Sequence, residues 1–93
     1  MSKEDPLHAA KAQTLENLES IQTSLIRCVN EGMIDSGAFR YNEILGLIDE
    51  AHLADNWDDL QELITRSRSL EKDIAAWMAR HGRTTVSLIW PKK

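Results

Sequence analysis

The side chains with chemistry to offer in this 93-residue chain are three histidines, His8, His52 and His81, and a solitary cysteine, Cys28. Asp49 and His52 lie three apart, so on a helix they share a face and look like half of a carboxylate and histidine metal pair. A di-iron bundle needs two such pairs and two further carboxylates, and any metal site needs its whole ligand set. With one pair present, no metal is expected. His8 falls in the first turn of one helix and His81 at the end of another, where the helix dipole favours a partly positive imidazole. Cys28 sits on an apolar stripe without a signature for an activating base, and reads as a small buried hydrophobe. The sequence contains no glycine-rich phosphate loop, nucleophile elbow or zinc-spaced cysteine pair. The expectation is a protein that is not an enzyme and carries no cofactor, with a dimeric helical metal protein or enzyme built around His52 and the acidic run as a further alternative.

Charge is the next source of chemistry. The formal net charge of -4 divides unequally: residues 1-63 carry four basic side chains against thirteen acidic ones, and residues 64-93 carry seven against two. Between Tyr41 and Thr65 there are seven acidic residues and no Lys or Arg, which an ordinary solvated helix face with an acidic first turn explains. "DNWDDL" lacks the alternation and glycine of a calcium loop. The basic set Arg66, Arg68, Lys72, Arg80, Arg83, Lys92 and Lys93 raises nucleic acid as a partner. A long helix strung with apolar residues is a poor recognition helix, however, and the overall charge opposes phosphate binding. Nucleic acid ranks below protein.

These side chains must be positioned by a single domain, which is all that 93 residues support. The N-terminal "MSKEDPLHAAKAQ" has no apolar signal core, no apolar run is long enough to span a membrane, and one cysteine cannot make an internal disulfide. A cytoplasmic protein with no membrane partner is expected.

The periodicity is helical. Asp5 and Pro6 mark a start; Leu18, Ile21, Leu25 and Cys28 follow at helical spacing, with Leu15, Ile26 and Val29 beside them, and Gly32 supplies a stop. In "AFRYNEILGLIDEAHLA" the face reads as Tyr41, Ile44, Leu45, Ile48 and Ala51, with Leu47 and Leu53 off it and Gly46 suited to a close helix approach. Asp55 or Asn56 can cap the next helix, whose seam Leu60, Leu63, Ser67, Leu70, Ile74, Trp77 and His81 keeps heptad spacing and ends at Gly82. Glu62 and Arg66 are placed for an i,i+4 pair. The expected architecture is all-α. It comprises two long amphipathic, coiled-coil-like helices (about 6-31 and 57-81), a shorter middle helix (about 38-54) and a C-terminal extended β-like tail (84-90). At 1.5 Å per residue the long helices reach about 40 Å, so some apolar stripe should be left over for a second copy or a partner.

The tail "TTVSLIW" alternates, placing Val86, Leu88 and Trp90 on one face and Ile89 on the other, and no upstream strand is available to pair with it. Such a segment either lies over the helices or pairs with another chain by β-augmentation. Trp90 is the candidate anchor, since Trp is enriched at interface hot spots. The functional expectation is a small non-enzymatic interaction module, whether regulator, adaptor, inhibitor or chaperone-like. It would bind a protein partner, as a homodimer, through leftover stripe and a C-terminal site made of Trp77, Arg80, Arg83, Val86, Leu88, Ile89 and Trp90.

Overall fold

A computed structural model describes residues 6–32, 40–84 and 87–92. Three helices carry the fold: α1 (Pro6–Asn30), α2 (Tyr41–Leu53) and α3 (Trp57–Arg80). Pro6 opens α1 where its missing N-H needs no intrahelical partner. Asp5 and the expected start of α2 near residue 38 lie outside the described residues. Asn56 caps α3, its side-chain oxygen accepting the Asp59 N-H at 2.8 Å. Both long helices end at a left-handed glycine, Gly32 at φ 97° and Gly82 at φ 74°. At Gly82 the Arg83 N-H reaches the Met78 carbonyl at 2.9 Å and the Gly82 N-H reaches Ala79 at 3.0 Å, the paired bonds of a Schellman stop.

Short connections set the directions. Residues 54–56 join α2 to α3; Lys11 Nζ donates to the His52 carbonyl at 3.2 Å, tying the start of α1 to the end of α2. Arg83 pairs with Glu31 where α1 and α3 end. Thus α1 and α3 run parallel with α2 antiparallel to both, giving a rod 48 × 21 × 19 Å.

The α3 seam is buried as its spacing implies, from Leu60 through Leu63, Ser67, Leu70 and Ile74 to Trp77, and Ile64 and Met78 widen it to one side. His81, expected to extend the seam, is exposed; its ring stands edge-on to Trp77 at 5.6 Å. On α2 the buried face is Ile44, Leu47 and Ala51, so Leu47 takes the place expected of Leu45, which is exposed. A helix apolar nearly all round has no unique face in its sequence, and the neighbours chose this one. Gly46 has open space where a Cβ would stand, so no neighbouring helix makes the close approach expected there. On α1 Leu18, Ile21, Leu25 and Cys28 are buried as expected, but Ile26 is exposed and the stripe continues toward the N-terminus through Ala10, Thr14 and Asn17.

The C-terminal tail is a correction: residues 87–92 have no strand, and no strand occurs anywhere among the described residues. The tail lies back along α1 and α3, and Trp90 joins the same core cluster as Leu18, Ile21, Leu70 and Ile74.

Candidate interaction site at the C-terminal clasp

Two buried or half-buried polar side chains hold the tail. Glu71, in the middle of α3, accepts the Leu88 backbone N-H on one carboxylate oxygen at 3.0 Å and the Trp90 indole N-H on the other at 2.9 Å. Asn17, buried on α1, donates its side-chain N-H to the Ile89 carbonyl at 2.8 Å. Gln13, one turn earlier, donates to the Asn17 oxygen at 2.9 Å and so orients the amide. Two of these bonds, to the Leu88 N-H and the Ile89 carbonyl, supply from side chains what a neighbouring strand would have supplied from its backbone.

The alternation expected from the sequence survives without a sheet. Trp90 is 9% exposed and Leu88 is half-buried, while Ile89 between them is 84% exposed. Val86 lies outside the described residues. Of the other expected site residues, Trp77 is a core side chain at 2% exposure, Arg80 is exposed on the last turn of α3, and Arg83 is engaged by Glu31. The structure therefore brings Leu88, Ile89 and Trp90 together with Asn17 and Glu71, and leaves Arg80 apart from them. Neither Asn17 nor Glu71 was singled out from the sequence: Asn17 stands as a polar residue beside the Leu18 stripe, and Glu71 has no signal beyond its place beside Leu70.

A cleft of about 610 Å³ opens beside the tail, where Pro6 and Ala9 of α1, Trp57 of α3, Ile89 and Pro91 form apolar walls and Lys92 stands at the edge. It is the place where the exposed face of the tail meets the start of the bundle. Elsewhere among the described residues the exposed large apolar side chains are Ile26, Leu45 and Leu53.

Electrostatics fasten the helices to each other. Arg66 grips Glu50 of α2 with two nitrogens at 2.6 and 3.1 Å, instead of the expected pairing with Glu62. These bonds hold the Glu50 carboxyl below its ordinary value and raise the Arg66 guanidinium. Arg40 bridges Glu43 at 2.7 Å and Asp73 at 3.1 Å and is likewise raised, first by its bond to Glu43. The two oppositely charged parts of the chain thus attract each other in part. Cys28 is buried, and Asp49 and His52 both face solvent. Among the described residues no group of three or more His, Cys, Asp or Glu is placed to hold a metal, and no helix is long and apolar enough to cross a membrane.

Comparison of the chain with protein-family models, curated proteins and solved structures finds no match.

Proposed function

We propose that the protein is a non-enzymatic interaction module whose partner-binding surface is the C-terminal region. The observation that supports it is the pairing of an outward Ile89, 84% exposed, with an apolar cleft walled by Pro6, Ala9, Trp57 and Pro91. A large apolar side chain beside a concave apolar surface is the usual form of a protein contact, because burying both removes apolar area from water at little cost in shape. The partner is a protein, with a homodimer as the simplest case; the binding of Arg66 and Arg83 by carboxylates leaves less of the basic set for nucleic acid.

A photo-crosslinking amino acid at position 89 tests this. One discrete crosslinked species is expected, lost on adding excess unlabelled wild-type protein but retained on adding the same excess of Ile89→Glu, whose melting temperature stays within a few degrees of wild type. Equal competition by the wild-type and Ile89→Glu proteins would overturn the assignment of this surface. Light scattering on the unlabelled chain distinguishes a second copy from another partner.

A further inference from the structure

We propose that the groove between α1 and α3 is a binding site for an extended peptide of the pattern apolar, any residue, Trp, and that the chain's own tail occupies it as a resident competitor. The proposal rests on the protein being an interaction module, but uses the inner face of the tail, not the outer one that carries Ile89.

The contacts are those of a peptide receptor. In an extended segment residues i and i+2 project to one side, so a single carboxylate can take the backbone N-H of the first and the side-chain N-H of the third. Glu71 does this for Leu88 and Trp90, at 3.0 and 2.9 Å. The carbonyl of the middle residue turns the other way, to Asn17 at 2.8 Å, and that amide is oriented by Gln13. One bond therefore reads the indole, and two read backbone groups without regard to sequence. The middle side chain, Ile89, points out and is not read. Trp90 enters an apolar site continuous with the core, the kind of buried anchor that dominates peptide and protein recognition.

Nothing in this set depends on the tail being joined to α3. The receptor groups are Gln13, Asn17 and Glu71; the tail contributes only two backbone groups and an indole. Attachment does set the threshold for an outside ligand. A segment tethered by a short linker competes at an effective concentration on the order of 1 mM, so a partner's segment must bind better than the tail does, or arrive with further contacts. The tail is thereby a strap that admits strong ligands and excludes weak ones.

The probe is a synthetic peptide with the sequence of residues 84–93, added to the full-length, isotope-labelled chain while the Trp90 indole N-H resonance is followed by NMR. Because peptide and tail are chemically the same, they compete on concentration alone, and about 5 mM peptide displaces most of the tail. The Trp90 indole resonance is then expected to move toward that of a solvent-exposed indole, while the Trp90→Ala peptide leaves it in place. A fluorescent version of the peptide is expected to bind the full-length Trp90→Ala chain at least tenfold more tightly than wild type, and to lose about tenfold when Glu71→Gln is added. An unchanged indole resonance at that concentration, or equal displacement by the Trp90→Ala peptide, overturns the proposal without requiring any variant to fold. A wild-type dimer that dissociates on adding peptide, and in which isotope-filtered NMR places Trp90 of one copy against α1 of the other, overturns it differently, since the occupant is then a second copy's tail. Loss of crosslinking at position 89 with retained displacement would remove the outer surface and leave this groove standing.

Discussion

Trp90 donates its indole N-H to Glu71 at 2.9 Å, and with that bond the end of the chain becomes part of the core built by α1 and α3. Trp90 is a structural residue first, and its removal has a predictable cost. Truncating a buried Trp to Ala costs about 3 kcal/mol or more from lost transfer energy and the cavity left behind. Trp90→Phe keeps most of the ring and loses the bond to Glu71, for about 1–2 kcal/mol. Urea unfolding of the two variants separates these effects: both midpoints fall, and Trp90→Ala falls further. Equal stability of Trp90→Ala and wild type would mean the tail is not docked.

Ser67 gives a prediction of the opposite sign. It is fully buried on the α3 seam, and its hydroxyl has no hydrogen-bond partner. Desolvating a hydroxyl without compensation is unfavourable, and Ala is the better helix former. Ser67→Ala should therefore stabilise the protein by about 1 kcal/mol. Thr14 is equally buried, but its hydroxyl bonds the Ala10 carbonyl at 2.8 Å, so Thr14→Ala should destabilise by a similar amount, about 1 kcal/mol. Thermal melts of the pair test whether hydrogen bonding, rather than burial alone, decides the sign.

The sequence carried the helices better than the faces, and the reason is visible at particular residues. The α3 heptad was legible because polar side chains separate its apolar positions, leaving one stripe. In α2, Leu45, Leu47 and Leu53 surround the helix, and periodicity cannot say which is covered until α1 and α3 are in place; Leu53 ends up 80% exposed. The tail's alternation correctly separated Leu88 and Trp90 from Ile89. Alternation reports which side chains share a face and says nothing of where backbone bonds go. Those bonds depend on Asn17 and Glu71, which stand 72 and 17 residues from their partners. Helix lengths alone led to the leftover stripe; the tail adds Trp90 to the core and Leu88 against it without adding helical length, and Ile26, Leu45 and Leu53 stay exposed on the helices.

The glycines offer a paired test of backbone effects. Gly46 lies mid-helix with nothing within 4 Å of a would-be Cβ, so Gly46→Ala removes unfolded-state entropy without a clash. It should stabilise by about 0.5–1 kcal/mol. Gly82 is also uncrowded, but its φ of 74° is a left-handed conformation in which a Cβ is strained. Gly82→Ala should destabilise by about 1 kcal/mol. Opposite shifts in denaturation midpoint are expected although neither glycine touches a neighbour. A stabilised Gly82→Ala would mean that α3 does not stop in the way described.

The Arg66 and Glu50 pair makes the pH prediction, and its direction follows from which form the fold prefers. Arg66 holds the Glu50 carboxyl below its ordinary value of 4.5, chiefly through hydrogen bonds, so the folded state favours the charged form. The stability this pair contributes is present above the unfolded-state value and is lost as pH falls through the folded one. Both side chains are about half exposed, so the contribution is small, a few tenths of a kcal/mol, and is screened by salt. Removing the partner with Arg66→Met should raise the Glu50 titration midpoint toward its ordinary value, measured on its side-chain carbonyl carbon by NMR. It should barely move the melting temperature at neutral pH, and the small difference from wild type should vanish in acid or in about 1 M salt. A Glu50 midpoint unchanged by Arg66→Met would show that the bidentate grip between α2 and α3 is not held in solution, leaving Arg40 with Asp73 as the remaining ion pair between these two helices among the described residues.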